Sequence, residues 1–323
     1  VRPVPRIAAA MPVDGVLNID KPGGITSHDV VARVRRLLGQ RRVGHAGTLD
    51  PMATGVLPVC LGKATRLTEA IQAGRKEYMA EVTFGTATDS QDSTGQVTAR
   101  RNASHLTEQD VREALRSFVG AIWQVPPMTS ARRHEGRRLY SIAREGVEVP
   151  REPRQVWIYA ASLDAFAPGE QPKAILTIAC SSGTYIRTLA HDLGAALGVG
   201  AHMSALRRTM VGPFRHEDAA PLHRLEAAGR DVAAAAVLPM TAAVAHLPTV
   251  TLPNEELGSV AHGTPPTRWS GSPGDGALPV ALLSDAGDLV ALAKLVRAKG
   301  GSDGCVLRPY AVFLEPEAYA DIR

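Results

Sequence analysis

The segment Gly44-His45-Ala46-Gly47-Thr48-Leu49-Asp50-Pro51-Met52-Ala53-Thr54-Gly55 packs three glycines, a proline and one carboxylate into twelve residues. That composition describes a shaped loop rather than a helix or strand. Pro51 biases Asp50 toward an extended conformation and removes the next backbone N–H, so Asp50 has one local partner fewer and is free to point into a cleft. A carboxylate held this way suits proton transfer or covalent attack on a sugar or base. The same residues also suit a plain Asp-Pro turn, and spacing alone leaves both readings open. Next to it, Gly55 to Lys63 imitates a phosphate-binding loop, but six residues separate the glycines and Ala64 stands where a magnesium-holding Ser or Thr belongs. The stretch is therefore rejected as a phosphate-binding P-loop. Asp89 and Asp92 lie in the Thr/Ser/Asp-rich loop expected over Thr86 to Gly95, without the alternating ligand spacing of a calcium loop, and turns capped by Asp side chains account for them. Cys60, Cys180 and Cys305 are far apart with no CxxC pair. Neither a zinc site nor a disulfide framework is expected, in keeping with a reducing cytoplasm.

The elements that must position these groups are legible in the hydrophobic pattern. Val16-Leu17-Asn18-Ile19 reads as a strand, followed by the turn residues Lys21-Pro22-Gly23-Gly24. Thr26 and Asp29 have capping-box spacing, and Val30, Val31, Val34, Leu37 and Leu38 form one face of the helix that follows, ending at Gly39. Arg33, Arg35, Arg36, Arg41 and Arg42 fall on or after its polar side. Tyr78, Ala80, Val82 and Phe84 alternate along a strand. Ile175 to Ala179 reads as a buried strand leading through Ser181-Ser182-Gly183 into a helix with Ile186, Leu189, Ala190 and Leu193 in register, closed by Gly194. Residues 124–152 are Arg-rich and irregular, an excursion from the core. Leu247-Pro248 and Leu252-Pro253 mark a boundary, after which Val280 to Ser284 and Leu289 to Leu295 pair as a hairpin around Asp285-Ala286-Gly287. The organisation expected is a disordered tail over 1–12, a large α/β domain over 13–245 and a small β domain over 246–323.

With 323 residues the chain can bury one large core and a smaller second one. Its formal charge of +4 favours an anionic partner without naming it, since an Arg- and Ala-rich chain also reflects base composition. No apolar stretch approaches the roughly 20 residues needed to span a bilayer, and the first ten residues hold no continuous apolar run of the kind a secretion signal needs. A cytoplasmic protein with no membrane partner is expected.

Five blocks decide what spacing leaves open. GHAGTLDPMATGVLPVCLGKATR, GVLNIDKPGGITSHDVV, KEYMAEVTFGTATDSQDSTG, QVPPMTSARRHEGRRLYSIAREGVEVPRE, and CSSGTYIRTLAHDLG followed by AHMSALRRTMVGPF resemble the TruB family of tRNA pseudouridine synthases. They occur in family order and cover most of residues 13–215. The resemblance implies an α/β fold (α+β in kind): a mixed, largely antiparallel sheet flanked by helices, with 124–152 as an inserted thumb. The C-terminal segment resembles the small β-barrel RNA-binding domain called PUA. The activity implied is isomerisation of uridine-55 in the T loop of tRNA, without metal, organic cofactor, guide RNA or protein partner, by a chain acting as a monomer.

By the same resemblance Asp50 is the catalytic carboxylate, Tyr78 packs on the target base and takes part in catalysis as a proton acceptor, and Arg187 pairs with the aspartate. His45 enters the T loop where the uridine leaves its stack, an exchange that recovers part of the cost of flipping. Tyr185 and Leu206 line the pocket for the flipped base. Arg132, Arg133, Arg137, Arg138, Arg207 and Arg208 are implied phosphate contacts, in keeping with RNA recognition by shape and backbone charge. Each position also has a structural reading: Tyr78 and Leu206 as core, and Arg187 as a helix-surface residue. Two other functions compete: an enzyme directed by a guide RNA and partner proteins, and a tRNA-folding module in which catalysis is secondary. A guided enzyme needs a broader docking region than the short C-terminal segment provides. An intact Asp50 with matching neighbours argues against a purely non-catalytic role.

Overall fold

The computed structural model describes residues 13–128, 130, 133–267, 279–297 and 305–314. The expected tail over 1–12 and Arg132 lie outside the described residues. The strands between residues 13 and 245 are β1 (Gly15–Lys21), β2 (Val43–His45), β3 (Thr54–Leu61), β4 (Lys76–Phe84), β5 (Thr86–Thr88), β6 (Val97–Arg100), β7 (Gly120–Gln124), β8 (Arg133–His134), β9 (Arg137–Arg138), β10 (Arg154–Ala167), β11 (Lys173–Cys180), β12 (Ala201–Val211), β13 (Phe214–Arg215) and β14 (Ala220–Pro221). The helices there are α1 (Ser27–Leu38), α2 (Thr68–Ala73), α3 (Glu108–Arg116), α4 (Leu139–Arg144), α5 (Ile186–Ala196), α6 (Leu222–Ala228) and α7 (Arg230–Ala235). The remaining elements are β15 (Thr249–Leu252), α8 (Asn254–Ala261), β16 (Val280–Ser284), β17 (Leu289–Arg297) and β18 (Cys305–Val312).

The main sheet runs β14-β1-β3-β12-β4-β11-β10-β7, with β13 on β12 and β2 on β3. Only the β1–β14 and β12–β3 pairings in it are parallel, so the sheet is mixed and largely antiparallel as expected. On β4 the side chains of Tyr78, Ala80, Val82 and Phe84 share one buried face, as their alternation requires. That face packs against α1 and α5 through Val30, Val34, Leu189 and Leu193. The opposite face buries Val56, Cys60, Leu67 and Ile71 with Val211 and Phe214. Helix α1 begins and ends where the sequence places it. Thr26 Oγ1 accepts from Asp29 N–H, the Asp29 carboxylate accepts from Thr26 N–H, and Gly39 closes the helix in the left-handed region.

Three local expectations need correction. Helix α5 does not close at Gly194 but continues to Ala196. A Cβ at Gly194 would lie 2.2 Å from the Ala201 backbone nitrogen, so the glycine is there to let α5 press against β12. The stretch from Thr86 to Gly95 is not wholly a loop, because β5 pairs with β6. The 124–152 excursion is not irregular either: β8 and β9 form a small hairpin that runs into α4.

The C-terminal residues form a separate four-stranded sheet, β15-β16-β17-β18, in which β16 and β17 make the expected hairpin. It docks on the other face of the main sheet, where Ala281, Leu292 and Phe313 join Leu67 and Ile71 in one apolar cluster. Arg66 stacks over the Phe313 ring at 5.3 Å.

Candidate active site

A cleft of about 480 Å³ opens among the Gly47–Asp50 loop, α2, the start of β4, the turn before α5 and the end of β12. Asp50, Tyr78, Tyr185, Arg187, Leu206 and Arg208 all line it. Residues far apart in the chain are thus brought together by the sheet.

The Asp50 loop is clamped from below. Lys21 is fully buried, and its ammonium donates to the carbonyls of Pro22 at 2.9 Å, Ile25 at 2.6 Å and Pro51 at 3.1 Å. Gly24 N–H also donates to Pro51 O at 2.8 Å. Ser27, at the start of α1, accepts from Leu49 N–H at 2.9 Å and donates to Leu49 O at 3.2 Å. The turn Lys21 to Ser27 is therefore the mount on which the loop sits, and its hydrogen bonds hold the residues on both sides of Asp50. Burial brings the Lys21 ammonium down to about 8 against the pull of Asp50 and Asp29.

Arg187 projects from the first turn of α5 and is almost fully buried. Its Nε lies 3.0 Å from Asp50 Oδ2, and its Nη2 donates to Asp50 Oδ1 at 3.3 Å, a two-pronged pair. Its Nη1 reaches Asp92 Oδ2 at 3.4 Å and donates to Ser90 O at 3.2 Å. Burial pushes the Asp50 carboxyl above the usual aspartate range; Arg187 and Lys21 draw it back, while Asp92 adds to the rise.

Asp92 is the residue that sequence reasoning missed. It does cap the turn expected of it, since its Oδ1 accepts from Ser90 Oγ at 2.7 Å and Thr94 N–H at 2.9 Å. Its other oxygen serves Arg187. An Asp in a Ser/Thr-rich turn carries no sequence mark of that second task.

Tyr78 is buried beside Arg208, and burial lifts its phenol to about 12, Arg208 opposing. The hydroxyl is neutral near pH 7. Tyr185 precedes α5, and its backbone is held by Gln124: Tyr185 N–H donates to Gln124 Oε1 at 3.0 Å, and Gln124 Nε2 donates to Tyr185 O at 3.2 Å. Leu206 faces Ala80 across the β12–β4 pairing and serves both core and cleft wall. His45 ends β2, half-buried, and does not line the cleft.

The arginines divide. Arg208 is not at the surface: it is 1% exposed and donates to Val56 O at 2.8 Å and Gly47 O at 2.9 Å. Its neighbour Arg207 pairs with Asp20 at 2.9 Å. Arg137 is exposed and paired with Glu145, while Arg133 and Arg138 lie opposite each other in the β8–β9 hairpin. Among the described residues no cluster of His, Cys, Asp and Glu could hold a metal ion.

The sequence model described as "TruB family pseudouridylate synthase (N terminal domain)" matches residues 35–186, and that described as "tRNA pseudouridylate synthase B C-terminal domain" matches 187–245. A relative named tRNA pseudouridine synthase B, from Symbiobacterium thermophilum, is 55% identical over 258 residues, covering 80% of this chain and 85% of its own. The chain belongs to the TruB family. A second TruB relative with the same name, from Moorella thermoacetica, is 49% identical over 252 residues, 78% of this chain and 83% of its own. Among solved structures, that of an H/ACA ribonucleoprotein bound to a substrate RNA containing 2′-deoxyuridine aligns over 96% of this TruB chain and 88% of its own. The TM-score is 0.71 at 30% identity. A Cbf5–Nop10–Gar1 complex aligns with a TM-score of 0.70 at 31% identity, over 94% of this chain and 86% of its own. The sheet and its flanking helices are thus the pseudouridine synthase fold. No helix among the described residues is long and apolar enough to cross a membrane.

Proposed function

We propose that this protein isomerises uridine in tRNA to pseudouridine, acting at position 55 of the T loop on a nucleotide flipped out of its stack. The observation that carries this reading is the Asp50 carboxylate, a third exposed to the cleft and held by a buried arginine. Curated relatives of 45–55% identity named tRNA pseudouridine synthase B supply the substrate class.

The reaction breaks the bond between uracil N1 and ribose C1′, turns the base, and rejoins it through C5. Asp50 can act in its ionised form by adding to C1′, or by taking the 2′ proton to leave a glycal. Arg187 fixes the carboxylate's orientation and favours its charge. Tyr78, Tyr185 and Leu206 form the walls that keep the detached uracil in place, and unstacking the nucleotide costs a few kcal/mol that these contacts offset. His45 would enter the loop the base leaves. Arg133, Arg137 and Arg138, with Arg132, would meet the RNA backbone through the thumb, and Arg207 from the end of β12. The β15–β18 sheet would act as a PUA-like RNA-binding domain. No redox or phosphoryl step occurs, so neither metal nor organic cofactor is needed.

The likeness to H/ACA proteins over nearly the whole chain gives a guide-directed reading its one support. Sequence favours independent action, because relatives of 55% and 49% identity are named tRNA pseudouridine synthase B, a name that gives tRNA and no guide. One experiment tests both. An unmodified tRNA transcript is incubated with the pure protein alone, and pseudouridine is mapped. Modification at position 55 is expected; conversion only after a second RNA or protein is added would overturn the reading.

A further inference from the structure

The cleft holds two cations for which the Asp50–Arg187 pair has no use. Lys76 and Arg208 both line it, 8% and 1% exposed. Lys76 stands two residues before Tyr78 on β4, so both side chains leave the strand on one face. Arg208 lies opposite Tyr78 across the β4–β12 pairing. The two cations therefore stand next to Tyr78 on the same face of the sheet.

Their partners are neutral. Lys76 Nζ donates to Gln72 O at 2.5 Å and Gly74 O at 3.1 Å, and Arg208 donates to Val56 O and Gly47 O. Among the described residues neither has a carboxylate within ion-pair distance. Withdrawing two like charges from water without a counter-ion is costly. Burial first, and Arg208 second, bring the Lys76 ammonium down to about 8. An ammonium has three donors, and two are spent on these carbonyls, which leaves one for whatever enters the cleft. The arrangement becomes favourable when an anion arrives.

The isomerisation makes one. When the N1–C1′ bond breaks, its electron pair stays with the uracil as a monoanion spread over N1, O2 and O4. That anion must last while the ring turns. The C5–C1′ bond then forms, C5 releases a proton and N1 gains one, so no net charge or proton is lost.

We propose that Lys76, backed by Arg208, is a catalytic cation that holds the uracil anion between cleavage and reattachment. The inference rests on the isomerase reading and deepens it. It assigns the charge to the base rather than a phosphate because both cations adjoin the Tyr78 wall, where that reading puts the base.

The test is Lys76→Met in the full chain, assayed for single-turnover conversion at saturating tRNA, with affinity measured separately. Loss of one preorganised charge-stabilising donor lowers such a rate by about 100-fold or more. The tRNA dissociation constant should not change, and Lys76→Arg should restore most of the rate. Wild-type conversion should fall further than Lys76→Arg conversion as pH rises through about 8, since a guanidinium keeps its charge. Of the groups facing Lys76, Tyr78 on β4 titrates near 12 and Cys180 on β11 near 11. The other charged groups around the cleft are the guanidinium of Arg208 on β12, whose pKa burial lowers, that of Arg187 on α5, and the carboxyl groups of Glu69 on α2 and of Asp50, the last raised by burial. Lys21 also titrates near 8, so any fall it causes appears in both proteins, and the prediction is read in the difference between the two profiles.

A Lys76→Met protein converting at wild-type rate would overturn the proposal. So would weakened tRNA binding with an unchanged saturated rate, which would make Lys76 a phosphate contact. An equal fall near pH 8 in the wild type and in Lys76→Arg would overturn it too. If Lys76→Met does not fold, the wild-type and Lys76→Arg profiles decide. An inactive wild type would instead strike the isomerase reading itself.

Discussion

Arg187 Nε lies 3.0 Å from Asp50 Oδ2, although the two residues are 137 positions apart in sequence. The Arg187 side chain is 6% exposed and that of Asp50 33%, so the arginine is the anchored partner and the aspartate the one open to the cleft. Arg187 is tied a second time, to Asp92, and this divides the consequences of changing either carboxylate.

Asp50→Asn is nearly isosteric but removes charge and basicity, so pseudouridine formation should become undetectable. Affinity for tRNA should change little, because phosphate and shape contacts supply most of it. Breaking a buried ion pair outright costs about 3–5 kcal/mol. Here the loss should be smaller, since Asp92 and Ser90 O still hold Arg187. A thermal melt beside a conversion assay checks both points. A folded variant that still converted uridine at wild-type rate would reduce Asp50 to a turn residue.

The raised pKa of Asp50 sets a pH dependence. Catalysis needs the carboxylate, so the acidic limb of the rate profile should lie above that of an ordinary aspartate. The stability sign is opposite: the folded state binds this proton more tightly than the unfolded one. That contribution is complete below the unfolded pKa and is lost as pH rises through the folded value. Asp92 is one cause of the rise. Asp92→Asn should therefore move the limb to lower pH, while lowering the plateau rate because Arg187 loses its second anchor. A profile measured from pH 4 to 8 tests this (about four units, spanning the aspartate and histidine ranges), and a limb that stays put or moves up would contradict it.

Replacing Arg132, Arg133, Arg137 and Arg138 with Ala should weaken tRNA binding and flatten its salt dependence. Every arginine that meets a phosphate adds about 0.7 to 0.9 to the steepness of log K against log salt, and its removal should subtract that amount. Filter binding at several salt concentrations measures it. A slope equal to wild type would make these arginines solvated bystanders.

Gly55→Ala should destabilise the fold and disturb the cleft together. Gly55 has φ +99°, and a Cβ there would lie 2.2 Å from the Arg208 carbonyl oxygen on the neighbouring strand. Strain and clash together cost about 3 kcal/mol or more. Urea unfolding reads the loss, and unchanged stability would show that β3 and β12 can part without penalty.

What the sequence alone determined is local or repetitive. The capping box of α1, its αL glycine, the alternation of β4 and the β16–β17 hairpin are all written within a few residues, because hydrogen bonds to the next turn and side-chain periodicity are short-range. The family blocks likewise named Asp50 and Arg187 without geometry. Tertiary structure decided the rest. Gly194 looks like a helix end in sequence, yet it sits inside α5 because Ala201 presses on it from another element. Adjacent Arg207 and Arg208 read alike, but strand alternation sends one toward Asp20 and the other into the cleft wall. Asp92 caps its own turn and also holds Arg187, and Lys21 looks like a turn lysine yet carries the loop beneath Asp50. Which charge is buried, and against which partner, depends on sheet order and register, and these are set by packing between residues a hundred or more positions apart.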